Sequence, residues 1–258
     1  MPPRPRGTTA LVAVSLLAIA GCSGATPSGT GTAASATAPS TAVTPTPSAA
    51  TSPPATVSPS RTAPTSAPRT EAALAAALLT LNDLPTGFQE EDDEDAGPAP
   101  RAASPQARCA DLVRLTNLEK PPGTRASATA AFSGGQAGPF VGEQLDALGS
   151  PRAASSLVRS YAAAVKACRS LRLTVPGTGT STVTVRAVRA PDVPGATAVR
   201  FTAGDGPLEG LEVTQVLVPV TDVVLSMTFL DATPEDVEGA SGLAVEKAVE
   251  VLGGAGAA

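Results

Sequence analysis

The chain has no histidine, no tryptophan, one tyrosine, five phenylalanines and three cysteines in 258 residues. Each shortage excludes something. Without histidine there is no Ser-His-Asp or Cys-His activation of a nucleophile, and nearly every zinc, copper or haem ligand set is gone. Without tryptophan, and with aromatics at 2% of the chain, there is no platform for stacking bases or sugar rings. Lysine occurs only at Lys120, Lys166 and Lys247, no basic cluster forms, and the net charge is −5. Such a surface repels the phosphate backbone, so no nucleic-acid partner is expected. No catalytic residue, metal site or cofactor is expected, and the protein is read as not an enzyme.

Long apolar runs are also missing. The longest at the N-terminus, residues 10–20 (ALVAVSLLAIA), falls well short of the ~20 residues a membrane-spanning helix needs. It follows Arg4 and Arg6 and precedes Ile19-Ala20-Gly21-Cys22, the order of a secretory signal. The four residues ending at Cys22 resemble the bacterial lipobox, which implies cleavage before Cys22 and lipidation (palmitate) of its thiol. Residues 1–21 are therefore expected to be a lipoprotein signal peptide. The expected location is the outer face of the cytoplasmic membrane, with the membrane as partner through the lipid anchor.

Residues 22–69 are expected to be the lipidated Cys22 followed by a disordered linker. From 23 to 69 the sequence is almost wholly Ala, Thr, Ser, Pro and Gly, with Val43 and Val57 its largest apolar side chains. So little apolar surface cannot offset the entropy of ordering. Its Ser/Thr-plus-Pro character also suits O-glycosylation. Removing the signal peptide takes away Arg4 and Arg6 and leaves 16 basic against 23 acidic residues.

Residues 70–253 are expected to form one globular domain, followed by a flexible C-terminus at 254–258. Two cysteines remain there, Cys109 and Cys168, and in an exported domain two thiols read as one disulfide. It would close a loop of about 60 residues, for roughly 4 kcal/mol on the chain-entropy model. A reactive or metal-binding pair is the alternative.

Periodicity predicts helices over about 70–82, 105–118, 151–169 and 233–252. The third is the clearest, opened by Ser150-Pro151 and carrying Ala153, Leu157, Tyr161, Ala164, Val165 and Cys168 inward. The fourth opens on Thr233-Pro234-Glu235-Asp236, which combines a cap, a first-position proline and early acids, and should bury Val237, Ala244, Val245, Ala248, Val249 and Leu252. A short strand is predicted near 86–90, then strands at 126–133, 139–148, 182–189, 196–203, 210–218 and 223–230. Adjacent strands joined by short turns argue for antiparallel pairing. The expected fold class is α+β: a twisted, mainly antiparallel sheet of about six strands packed against helices in a single domain.

Three tempting motifs read as structure. The acidic run 90–95 could attract Ca²⁺, but its spacing is not that of an EF-hand. The Gly-rich stretch 134–138 lacks the Gly-Lys-Ser/Thr of a phosphate loop and is expected to be a hairpin turn. Gly239-Ala240-Ser241-Gly242-Leu243 lacks the final glycine of a nucleophile elbow and lies inside a helix.

Leu84-Pro-Thr-Gly-Phe88, Cys109-Ala-Asp-Leu112, Ala131-Phe-Ser-Gly-Gly135 and Ala167-Cys168 together resemble a pattern of uncharacterised actinobacterial lipoproteins. These are similar to the extracellular sensor domain of the PknH-type serine/threonine kinases. The resemblance spans about residues 70–253 and implies an α+β domain with a central cleft and a small-ligand or sensing role. The sensor family carries two disulfides, whereas this domain has cysteines for one. No ligand-binding residues follow from it. The function expected is a membrane-anchored extracytoplasmic lipoprotein whose domain is a non-catalytic small-ligand binding or sensing module, the ligand small and hydrophobic or envelope-derived and the cleft lined by aliphatic side chains with a few Thr, Ser and Arg. The alternative is a structural or assembly partner of the cell envelope, with its protein partner unknown.

Overall fold

The computed structural model describes residues 68–91, 99–135 and 138–253. Cys22, the signal and nearly all of the spacer lie outside these residues, as do most of the acidic run and the flexible C-terminus.

Among the described residues nine strands form one sheet: β1 (Gln89–Glu90), β2 (Arg101–Ala103), β3 (Ala126–Ser133), β4 (Phe140–Ala147), β5 (Ser170–Val175), β6 (Gly179–Val188), β7 (Thr197–Ala203), β8 (Glu212–Val220) and β9 (Val223–Leu230). Their order is β1-β3-β4-β9-β8-β7-β6-β5-β2, with every neighbouring pair antiparallel. The class is thus α+β as expected, but the sheet has nine strands rather than about six. The additions are β5 and β2: β5 follows a helix with no turn residue to announce it, and β2 is three residues among prolines, whereas β1 falls within the short strand expected near 86–90.

Four helices of the described residues pack on both faces: α1 (Glu71–Ala75), α2 (Ala110–Thr116), α3 (Pro151–Ala167) and α4 (Pro234–Gly253). Their starts follow from local chemistry. Thr70 accepts the Ala73 N–H at 3.1 Å, and Ser150 accepts the Ala153 N–H at 3.2 Å beside Pro151. Thr233 and Asp236 cap each other reciprocally at the head of α4, leaving fewer orphan amides at that end. α1 is shorter than expected. The chain leaves the helix after Ala75 and makes a separate turn at Leu81–Asp83, so Leu74 and Leu78 are buried but Leu81 is exposed. In α4, Val249 is exposed rather than inward.

Because side chains alternate across a strand, β8 and β9 supply both cores. Val216, Val218, Val220, Val223, Leu225, Met227 and Phe229 face α1 and α4. Leu217 and Val224 face the opposite core, which contains Cys109, Leu112, Tyr161, Val185, Val199 and Phe201. Arg69, placed in the spacer by composition, has its Nε 3.1 Å from Asp222 Oδ1 in the β8–β9 hairpin. That pair anchors a turn whose Thr221 has a φ of 52°, a costly conformation for a β-branched residue.

Cys109 and Cys168 are bonded. The disulfide joins the start of α2 to the end of α3, and both sulfurs are fully buried.

Candidate functional site

The α2/α3 face is only partly roofed. α3 lies over β6 to β9 and α2 packs on α3 and β2. Further along the sheet, the roof is a turn at Gly206–Leu208. Glycine is needed there, because Gly206 has a φ of 74° and a Cβ would stand 2.7 Å from Ser181 Oγ. The close approach lets Ser181 accept the Leu208 N–H at 3.0 Å, fixing the turn over β6.

Between these roofs is a cavity of about 540 Å³, within the range of small-molecule sites. Its wall is mostly aliphatic, with Leu171 and Leu173 from β5, Phe201 from β7, Val213 from β8, Leu230 from β9 and Leu208 from the turn. A second hollow of about 140 Å³ adjoins it and is more polar, reached by Gln144, Asp146, Tyr161 and Ser226. Thr116, Gln215 and Thr228 border both spaces. The last two are direct cross-strand partners, and Thr116 is the final residue of α2.

The polar groups are tightly ordered. Tyr161 donates its hydroxyl to Gln215 Oε1 at 2.5 Å, and burial pushes its pKa above the ordinary value, keeping it a donor. Gln144 Nε2 donates to Asp146 Oδ2 at 2.8 Å and to the Glu119 carbonyl at 3.1 Å. Asn117 holds β2 to the end of α2, accepting from the Ala102 N–H at 2.7 Å and donating to the Ala102 carbonyl at 2.8 Å.

Asp146 is 1% exposed. Burial raises its pKa, and the hydrogen bonds from the Ser127 hydroxyl and the Gln144 amide, the Lys120 charge and the Thr124 hydroxyl offset only part of that. Ser127 lies directly across the strand pair from Asp146. The buried Thr116 hydroxyl has no hydrogen-bond partner, and a buried polar atom left unpaired costs ~1–3 kcal/mol.

The remaining candidates resolve simply. Glu90 ends β1, and Glu91 accepts from the Ser133 hydroxyl and donates its N–H to Ala131; residues 92–95 lie outside the described region. Of the 134–138 stretch, residues 136–137 lie outside the described region; beside them the Gly134 N–H donates to the Pro139 carbonyl at 2.9 Å between β3 and β4. Ser241 is fully buried inside α4, so the 239–243 motif is packing. Among the described residues, no group of three His, Cys, Asp or Glu side chains is placed to hold a metal.

On the opposite face Glu143 is 2% exposed, and its Oε2 accepts the Leu79 N–H at 2.7 Å. Burial pushes its pKa from 4.5 up to about 7, against the opposing effects of that hydrogen bond and of Lys247. Lys247 itself pairs with Asp83 at 2.6 Å.

None of the cleft residues was singled out in the sequence as a ligand contact. Signals existed: Gln215 is a lone amide between Thr214 and five apolar residues, and Asp146 interrupts the apolar end of β4. An expected arginine in the lining is absent, the described walls holding none.

These features define the class: a one-sheet α+β domain with a partly roofed, mixed apolar–polar cleft on one face. A solved structure shares the fold. The crystal structure of the extracellular domain of PknH from Mycobacterium tuberculosis matches with a TM-score of 0.51 and 16% identity, over 72% of this chain and 98% of that one. The sequence-level resemblance to that sensor domain is therefore matched at the level of fold. A putative uncharacterized protein from Mycobacterium smegmatis matches more loosely, with a TM-score of 0.40 and 12% identity over 75% of this chain and 98% of that one. No family model and no curated protein matches the sequence. Among the described residues no helix is long and apolar enough to cross a membrane.

Proposed function

We propose that this chain is a lipid-anchored extracytoplasmic protein whose domain binds or senses a small ligand in the α2/α3-face cleft and performs no catalysis. The observation that carries the binding role is the cavity of about 540 Å³ with a largely aliphatic wall and polar groups gathered at one end, the usual make-up of a small-molecule site. The likeness in fold to an extracellular domain supports a location outside the cytoplasm, and the residues around Cys22 support the anchor. The lack of histidine supports a non-catalytic role.

The assembly-partner alternative would call for a contiguous exposed apolar patch. On α4 the exposed Leu243 and Val251 lie about 80° apart, two turns from one another, and Val249 points away from both at ~100° per residue, so the three make no continuous patch.

The test is a thermal-shift screen of small apolar and amphiphilic compounds on the full chain. A ligand at 100 times its Kd adds about 2.7 kcal/mol of stability. At least one compound is expected to raise the melting temperature, and Val213→Trp, which fills the cavity, is expected to abolish the rise. A panel with no stabiliser would refute the binding role. Mass spectrometry of the native protein tests the anchor, with an N-terminus at acylated Cys22 expected and an unmodified N-terminus elsewhere contradicting it.

A further inference from the structure

The chain has no basic cluster along its sequence, yet the sheet assembles one. Ala102, Leu171, Val185 and Phe201 point into the α2/α3 core, so by strand alternation their neighbours Arg101, Arg172, Arg186 and Arg200 point the other way. These four belong to β2, β5, β6 and β7, which are consecutive in the sheet, one arginine to each strand. On that side α4 packs on β8 and β9 and α1 on β3. Beyond β8, Arg101, Arg172 and Arg186 are exposed and Arg200 is half-buried. Arg186 and Arg200 are direct cross-strand partners, while Arg172 stands opposite Thr182 and Arg101 opposite Thr174. At about 4.8 Å between strands and 3.4 Å per residue along them, the four make a diagonal stripe roughly 25 Å long. Arg189, just past β6, borders a hollow of about 290 Å³ together with Arg200 and adds a fifth charge at that end.

Little in the fold neutralises these charges. The four strands contain no Asp or Glu. Among the described residues Arg101, Arg172, Arg186 and Arg189 have no ion pair, and Arg200 has one, with Glu212 on β8 at 2.9 Å. Glu238 is the acid at the hollow. Like charges directly opposite on two strands destabilise a sheet, so the Arg186–Arg200 pair is a cost to the domain by itself. Acids outnumber bases in this chain by 23 to 18, which makes such a pairing the more notable. A negatively charged surface laid against the stripe relieves the repulsion, and each guanidinium fork matches a phosphate. The side chains between the arginines are mostly threonine, and no exposed large apolar side chain lies on these strands. The face therefore suits an extended anionic surface held by charge, without insertion. Charges more than about 8–10 Å away are largely screened at ordinary salt, so the stripe rather than the net charge governs what this face meets.

We propose that the arginine stripe docks the domain on anionic phospholipid head groups, laying the β2–β5–β6–β7 face against the membrane. The nearness of that membrane rests on the proposed anchor at Cys22, whereas the docking makes no use of the cleft. In this orientation the cavity, on the opposite face of the sheet, is turned away from the lipid.

The experiment sediments the full chain with vesicles of phosphatidylcholine alone and with vesicles that also contain phosphatidylglycerol. Any apolar N-terminal segment partitions into both, so the ratio of the two reports the response to head-group charge. A preference for the anionic vesicles is expected, weakening as salt is raised. One basic residue at an anionic surface contributes ~1 kcal/mol, which is about fivefold in binding. Arg186→Gln should therefore lower binding to the anionic vesicles by about fivefold, and the same change at Arg101, Arg172 and Arg186 together by about 100-fold. Binding to phosphatidylcholine should not change. Because these side chains are exposed and one like-charge pair is removed, the melting temperature should not fall. Arg152→Gln and Arg159→Gln, exposed on α3 over the other face, should change the ratio by less than about twofold. No preference for anionic vesicles, or a loss as large in the α3 variants as in the stripe variants, overturns the proposal. Retention on dextran sulfate without a vesicle preference assigns the stripe to an anionic polymer and overturns membrane docking as well. An unmodified N-terminus by mass spectrometry refutes the anchor but leaves the vesicle result standing, so the two failures are distinct.

Discussion

The two faces of the sheet are built from the same strands, yet they end in different states. On the α1/α4 face, Phe132, Leu145, Leu225, Met227 and Phe229 are almost completely buried beneath a twenty-residue helix. On the α2/α3 face, α2 has seven residues, and beyond it Leu173, Val175, Leu211 and Val213 stay only half-buried around the cavity. One alternating pattern thus serves stability on one side and access on the other. The difference is set by how much helix each face receives, not by the strands.

Substitutions sharpen that contrast, the largest effect coming from the closed face. Phe229→Ala there should cost 3–5 kcal/mol, as for other buried aromatic truncations. Removing the disulfide with Cys109→Ser and Cys168→Ser should cost roughly 4 kcal/mol, close to that of the cavity mutant, and should also loosen the α2 wall. Both are checked by denaturant unfolding. A loss below about 1 kcal/mol in either would mean that the site relaxes far more than its burial implies.

The buried acid on the closed face makes a pH-dependent contrast. Because the folded pKa of Glu143 is raised from 4.5 to about 7, the folded state holds its proton more tightly than the unfolded state. Stability is then fully present below about 4.5 and falls as pH rises to about 7. At 1.36 kcal/mol per pKa unit, the fall is about 3 kcal/mol. Glu143→Gln should flatten this part of the stability–pH curve and stabilise the protein at pH 8. An unchanged slope would show that another group carries it.

Leu173→Ala on the cleft wall should cost less than about 1 kcal/mol, since the side chain is already partly in water and can leave little new cavity, while weakening ligand binding. A loss as large as that of Phe229→Ala would abolish the distinction between the faces. Smallest of all, Lys247→Ala should cost under about 1 kcal/mol at neutral pH, as for other partly exposed ion pairs. Because the pairing with Lys247 and the bonds from Thr80 hold Asp83 at about 2 rather than 3.8, its contribution is present above 3.8 and lost as pH falls toward 2. The variant's deficit should therefore shrink in acid, as unfolding at pH 2 and pH 6 would show.

The same two faces mark what the sequence made legible. Val223, Leu225, Met227 and Phe229 on one parity, with the Thr233 cap after them, specify a buried strand and the helix that covers it. Cys109 and Cys168 specify a pairing through their number and context. β5 was harder. Leu171, Leu173 and Val175 alternate cleanly with Arg172 and Thr174, but the strand begins two residues beyond Cys168 with no glycine or proline to mark a boundary. β2 spans three residues between prolines, too short for any periodicity, and its place is settled by pairing with β5 and by Asn117. A cleft was expected from the resemblance, but the residues that line it were not identified. Thr116, Asp146, Gln215 and Thr228 come from α2, β4, β8 and β9, and they meet only when two antiparallel pairings and a disulfide-held helix are assembled. Polarity at alternate positions of β4 reads locally as a solvent-facing strand.

The most direct measurement of the central claim is a map of ligand contact by amide chemical shifts, recorded on the full chain with a compound that raises its melting temperature in the thermal-shift screen. The account predicts saturable shifts at Thr116, Asp146, Gln215 and Thr228 and none at Leu79, Glu143 or Leu225 on the closed face. Shifts confined to the α1/α4 face, or spread evenly over both, would contradict it.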